Sequence, residues 1–213
     1  MPGRLTEHAL FFREYVRHFH ATGAIAPSGR RLAAALTRYV GGPAGAARRI
    51  LEVGPGTGAV TRRIIPALGP DDRLDMIELN DRFVARLRAC LEHDPAFRPI
   101  ADRTRVIRGA VEELDAEAGY DAVVSGLPLN NFSGELVAEI LAKLMALLRP
   151  GGTLSFFEYI GIRRARALVS GRRERARLRE ITRAMNEAFE KHEFRREQVW
   201  LNLPPAWVHH LRA

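Results

Sequence analysis

Cysteine is almost missing from this chain: Cys90 is the only one in 213 residues. An intrachain disulfide is therefore excluded, and no Cys/His set with zinc spacing can be assembled. Lysine is nearly absent too, supplying two of the 33 basic residues, so positive charge is carried by arginine. No window approaches the ~18 to 20 uninterrupted apolar residues that a bilayer-spanning helix needs. The N-terminus carries Arg4, Glu7 and His8 in place of a signal peptide's apolar core, so the expected compartment is the cytoplasm. The seven histidines are scattered apart from His209-His210, and none stands in a metal-ligating pattern; no metal is expected. Internal repeats and low-complexity linkers are also lacking.

What is present is a 46% hydrophobic chain of one-domain length with an uneven charge. Residues 1–50 carry eight Arg against two Glu, residues 51–159 twelve basic against seventeen acidic, and residues 160–213 thirteen basic against six acidic. Basic ends around an acidic middle suit a core whose flanks touch a polyanionic surface, nucleic acid or anionic lipid. An arginine-rich background composition would give part of the same excess.

Short apolar runs at Ile50–Val53, Leu74–Glu78, Thr104–Ile107, Asp121–Val124 and Thr153–Phe157 read as buried strands. Thr57–Leu68, Asn80–Glu92 and Gly134–Leu148 repeat apolar residues at helical spacing, the last closing at a turn over Arg149-Pro150-Gly151-Gly152. Alternation of the two predicts parallel βαβ units in a doubly wound, Rossmann-like α/β sheet. A basic helix over roughly Arg163–Lys191 follows, then two strands, Gln198–Leu203 and Ala206–Leu211, expected to close the sheet edge as an antiparallel pair. The domain divides into an N-terminal helical cap (1–45), a cofactor-binding core (46–160), and the basic helical insertion with closing strands (161–213).

The loop Glu52-Val53-Gly54-Pro55-Gly56-Thr57-Gly58-Ala59 follows the first strand and opens a helix. Glycines there let the backbone turn sharply and approach a ligand, and Glu78 ends the next strand where a ribose-binding acid belongs. The pattern admits a nicotinamide or flavin nucleotide as well as S-adenosylmethionine. Together with Ile77-Glu78-Leu79-Asn80 and Leu148-Arg149-Pro150-Gly151-Gly152-Thr153-Leu154, it resembles the successive motifs of class I methyltransferases. That resemblance implies S-adenosylmethionine, leaving as S-adenosylhomocysteine. Glu52, Gly54, Gly56, Thr57 and Gly58 would line its methionine side, Glu78 and Leu79 its ribose, and Gly109, Ala110 and Val111 its adenine. Ala110 departs from the Asp usual in the third motif and removes an acceptor for the adenine amine, for which a backbone carbonyl or Glu112 would have to substitute. Ser28, Ser125 and Leu127 complete the expected cofactor contacts.

The chain also resembles the bacterial phospholipid N-methyltransferases. The resemblance lies in Gly23–Arg30, in Val124-Ser125-Gly126-Leu127-Pro128-Leu129-Asn130-Asn131-Phe132, and in Val199-Trp200-Leu201-Asn202-Leu203-Pro204-Pro205-Ala206. It implies stepwise methylation of phosphatidylethanolamine toward phosphatidylcholine by a peripheral enzyme at the inner leaflet; ornithine-lipid N-methyltransferases look similar. Leu5, Ala9, Phe12, Val16 and Phe19 share a narrow arc at about 100° per residue, the pattern of an amphipathic helix that lies on lipid or packs on the domain. Tyr15, Asn131, Glu158 and Tyr159 are the expected catalytic residues, holding a headgroup ammonium that must lose a proton. Arg163, Arg164, Arg166, Arg172 and Arg173 are candidates for gripping lipid phosphates. An RNA adenine N6-methyltransferase is disfavoured because Leu129 stands where that family places an aromatic ring for the flipped base. The same motifs also admit a nucleotide-dependent oxidoreductase or a non-catalytic lipid-binding module. The expected partners are an anionic membrane surface and the lipid headgroup, with the protein a monomer.

Overall fold

Five short runs, four of them buried and the edge run Thr104–Arg108 only partly so, form the parallel part of a seven-stranded sheet. The computed structural model describes residues 29–42, 46–114, 119–161 and 171–213. Its strands are β1 (Arg49–Val53), β2 (Arg73–Glu78), β3 (Thr104–Arg108), β4 (Tyr120–Ser125), β5 (Leu148–Tyr159), β6 (Glu193–Val199) and β7 (Ala206–Arg212), in the order β3-β2-β1-β4-β5-β7-β6. Parallel registers set Leu51 beside both Asp75 and Val123, and Ser125 beside Phe156. The chain winds outward from β1 in both directions, so the crevice of this sheet opens at the carboxyl ends of β1 and β4.

Helices cover both faces. Helix α1 (Arg30–Leu36), the short α2 (Thr61–Ile64) and α3 (Asp81–His93) lie on the face lined by Ile50, Leu74, Met76 and Phe157. Helices α4 (Gly134–Ala146) and α5 (Arg172–His192) lie on the other, over Leu51, Val123, Leu154 and Phe156. Side-chain caps set two of the starts. Asn80 Oδ1 accepts the N–H groups of Arg82 (2.9 Å) and Phe83 (3.3 Å) before α3, and Ser133 Oγ accepts that of Leu136 (3.2 Å) before α4. Leu178, Ile181 and Met185, spaced by three and four, are the buried stripe of α5.

Three boundaries differ from the sequence expectation. The helix expected over Thr57–Leu68 shrinks to α2 and a 3₁₀ turn at Ile65–Ala67, because Gly58 has a left-handed φ of 83° and Pro66 sits in the turn that follows. The strand expected at Gln198–Leu203 instead spans Glu193–Val199, and 200–205 form the turn. Four of its residues are charged, as befits the exposed edge of a sheet, and Glu193–Glu197 carry no apolar run that would mark a strand. Strand β5 begins at Leu148, so Arg149–Gly152 belong to it rather than to a separate turn. Tyr15, Ser28, the amphipathic N-terminal segment, Arg163, Arg164 and Arg166 lie outside the described residues. Among the described residues no helix is long and apolar enough to cross a membrane.

Candidate active site at the carboxyl edge

The exit of β1 is stitched to both neighbours. Gly54 N–H donates to the Ile77 carbonyl (2.9 Å), and Gly126 N–H to that of Val53 (2.8 Å). Gly54, Gly56 and Gly58 all have left-handed φ values (68°, 56° and 83°), which a side chain would strain. At Gly126 the requirement is space: a Cβ would stand 2.7 Å from the Gly54 carbonyl oxygen.

Two acids anchor this loop. Glu78, 3% exposed, receives the Gly56 N–H on Oε2 (3.0 Å) and the Asn80 N–H on Oε1 (2.9 Å). Burial pushes its carboxyl above the ordinary value, opposed by those backbone donors. Glu52 is buried at 1% exposure and accepts the Thr61 hydroxyl (2.7 Å). Burial, with some repulsion from Glu78, pushes it up to about 8. Without a compensating cation, Glu52 is therefore protonated at neutral pH.

The third segment packs beside them. Gly109 N–H donates to the Glu78 carbonyl (3.1 Å), the Ala110 carbonyl accepts from Glu113 N–H (3.1 Å), and Val111 is buried in the core. The Glu113 carboxylate lies beside Gly109, its Oε2 3.9 Å from where a Cβ would stand. Leu79 is half-buried and the Thr57 side chain is exposed.

After β4, buried Ser125 accepts the Leu127 N–H (3.3 Å), and Leu127 covers Gly54. Leu129–Asn131 form a 3₁₀ turn in which Leu129 and the following Phe132 are core residues. Asn131 is half-buried. Its neighbour Asn130 is 6% exposed, and Asn130 Oδ1 has no hydrogen-bond partner among the described residues. A buried bare acceptor at this edge calls for a donor from beyond the described residues.

Glu158 and Tyr159, both expected at the site, are separated by strand parity. Tyr159 stacks edge-on to Phe157 (5.2 Å) on the α1 face, where burial raises its phenol pKa. Glu158 lies on the opposite face, two residues beyond the Ser125–Phe156 pair. Its Oε1 is 3.4 Å from His209 Nε2, and His209 Nδ1 is 2.6 Å from Glu193 Oε1. The imidazole is 1% exposed and stacks on Phe189 (centroids 4.2 Å apart) and Phe156 (5.3 Å). His209, Glu193 and Glu113 were not among the expected site residues, whereas Asn130 is expected with Asn131 as a hydrogen-bonding group beside the headgroup. The adjacent histidines within an apolar strand were the one visible signal.

The comparisons with known proteins agree with this layout. A family model described as a methyltransferase domain matches residues 50–152. The ornithine lipid N-methyltransferase of Singulisphaera acidiphila is 30% identical over 146 residues, covering 68% of this chain and 74% of that protein. Among solved structures, the fold is similar to the O-methyltransferase TomG of Streptomyces achromogenes in complex with SAM, with TM-score 0.64 and 19% identity over 100% of this chain and 91% of that one. It is also similar to an O-methyltransferase of Bacillus cereus in complex with SAH, with TM-score 0.64 and 16% identity over 95% and 90%. Glycine loop, strand order and relatives coincide, and the chain belongs to the class I S-adenosylmethionine-dependent methyltransferases.

Proposed function

We propose that this methyltransferase acts on the amine of a membrane lipid. The observation that carries the reading is the 30% identity to an ornithine lipid N-methyltransferase across 74% of its length. Phosphatidylethanolamine and its mono- and dimethyl derivatives are the substrates that the loop Ser125–Phe132 and the segment Val199–Ala206 favour by resemblance. Ornithine lipid is the second reading, favoured by the relative itself. The protein would work as a peripheral enzyme at the inner leaflet.

The residues present fit S-adenosylmethionine. A Cβ at Gly56 would meet nothing within 4 Å, so the outer side of the loop is open for a ligand. The Glu78 carboxylate has two lone-pair sites left after its backbone bonds, enough for two ribose hydroxyls. Glu52, held neutral by burial, would ionise beside the amino acid ammonium, and Glu113 would supply the acceptor that Ala110 lacks for the adenine amine. Bound there, the cofactor supplies an electrophilic methyl group on a sulfonium. Asn130 Oδ1 would accept an N–H of the substrate amine and aim its lone pair, which is catalysis by positioning. Glu158 would pair with the headgroup ammonium and take its proton, with the His209 ring packed 3.4 Å from its carboxylate. Asn131, Tyr159 and Tyr15 stay candidates for the headgroup's surroundings. Both loop positions that an RNA reading would use for base stacking, Leu129 and Phe132, are core side chains.

The test is labelled methyl transfer from S-adenosylmethionine into vesicles of phosphatidylethanolamine, vesicles of ornithine lipid, and RNA, with products resolved by mass spectrometry. Methylated lipid is the expected product. Transfer to RNA alone, or to none of the three, refutes the reading.

A further inference from the structure

The turn between β6 and β7 holds Trp200, Leu201 and Leu203 at 61%, 71% and 88% exposure. Phe194, at 37%, is the only other exposed large apolar side chain among the described residues. Three such side chains within four residues make a patch of the kind that marks a docking surface.

The turn is built and not slack. Asn202, 8% exposed, accepts the Gly29 N–H on Oδ1 (3.1 Å) and donates from Nδ2 to the Pro204 carbonyl (2.7 Å). Ile160 N–H donates to the Pro205 carbonyl (2.8 Å). The polar atoms of the turn are thus spent inward, on the start of α1 and the exit of β5, while its apolar side chains face out. Because Ile160 follows Glu158 and Tyr159 directly, the tip stands on the edge of the sheet that carries the site. Arg30 and Arg31, exposed in the first turn of α1, come next after Gly29, and that turn holds no acidic residue. A tryptophan and two leucines flanked by two arginines match an anionic leaflet: rings and chains at the acyl boundary, guanidinium groups among the phosphates.

We propose that the β6–β7 turn inserts into an anionic phospholipid surface, burying Trp200, Leu201 and Leu203 with Arg30 and Arg31 at headgroup level. The proposal rests on the lipid reading above and names the part of the molecule that meets the membrane. Docking there brings the carboxyl edge down onto the leaflet, so a headgroup reaches Glu158 without leaving the bilayer.

The experiment uses the full chain with Trp207→Phe, so that Trp200 is the only tryptophan. Vesicles of phosphatidylethanolamine and phosphatidylglycerol are expected to shift Trp200 emission to the blue, and acyl chains brominated near the headgroup to quench it. Leu201→Asp with Leu203→Asp should weaken vesicle co-sedimentation roughly tenfold or more, as expected for charges placed in an interface. S-adenosylhomocysteine affinity and methyl transfer to lipid dispersed in detergent should stay unchanged in that variant. Vesicle binding without quenching, or equal binding by the double variant, overturns the proposal. So does a blue emission already shielded from acrylamide before lipid is added, which would mean that residues 1–28 or a second copy cover the turn. Failure of the lipid reading is distinguishable: insertion would be seen, but no aminolipid would be methylated in either vesicles or detergent.

Discussion

Replacing Glu78 tests the cofactor site at its most determined point. The carboxylate is almost fully buried, and each oxygen already accepts one backbone N–H, from Gly56 or from Asn80. Glu78→Ala removes the acceptors for two ribose hydroxyls and frees the glycine loop from its tie to β2. A hydrogen bond to a charged group contributes about 1.5–3 kcal/mol, and part of the loss is offset by water entering the space. The expected cost to S-adenosylhomocysteine binding is therefore about 1–3 kcal/mol, roughly 5- to 150-fold in Kd. Glu78→Gln is not conservative here, because its NH2 must face either the Gly56 or the Asn80 N–H, donor against donor; it should resemble Ala. The raised pKa adds a second signature. Affinity should fall with acid at a pH above the ordinary carboxylate range, where the wild-type side chain gains the proton that Gln mimics. Isothermal calorimetry measures all three, with thermal melts confirming that the variants fold. Binding within about twofold of wild type for both variants would show that the ribose lies elsewhere.

Three further outcomes follow from the geometry. Glu52 has its folded pKa raised from 4.5 to about 8, so its contribution to stability is full below about 4.5 and is lost as pH rises through 8. Denaturant unfolding of the ligand-free protein should lose on the order of a few kcal/mol across that window, and Glu52→Gln should flatten the slope; an unchanged slope would refute the assignment. Gly126→Ala places a Cβ 2.7 Å from the Gly54 oxygen, so backbone must move. A cost of about 1–3 kcal/mol, seen as a lower Tm together with weaker cofactor binding, is expected, whereas a wild-type melt would mean the contact yields freely. Glu158→Gln should lower kcat on lipid roughly 10²- to 10⁴-fold at neutral pH, with cofactor affinity unchanged and activity recovering as pH approaches the amine's own pKa. An unchanged kcat would remove Glu158 as the proton acceptor.

The inner parallel strands β1, β2, β4 and β5 are legible because each carries a short apolar run buried on both faces, and the glycine loop because three left-handed turns need three glycines. The first part of strand β6 escapes a reading of periodicity because an exposed edge strand is polar, so Glu193–Glu197 show no apolar run. Glu158 and Tyr159 lie on opposite faces of β5, because side chains alternate along any strand. His209 beside Glu158, and Glu113 beside Gly109, depend instead on register and turn geometry. Glu158 and His209 are 51 positions apart in the chain, and only the antiparallel pairing of β5 with β7 brings them together.

The consecutive imidazoles of β7 have a consequence for how the last strand finds its place. His209 is matched to Glu158 and Glu193 on one face, and His210 to Ser155 Oγ (2.8 Å) and Glu197 (3.3 Å) on the other. A slip of β7 by a single residue would send each ring to the wrong side, breaking both sets of partners at once while Val208 and Leu211 exchanged the two cores they fill. Misthreaded versions of this edge are thereby penalised twice over. A one-residue deletion in 200–205 should then be absorbed by distorting the turn, leaving the two rings where they are.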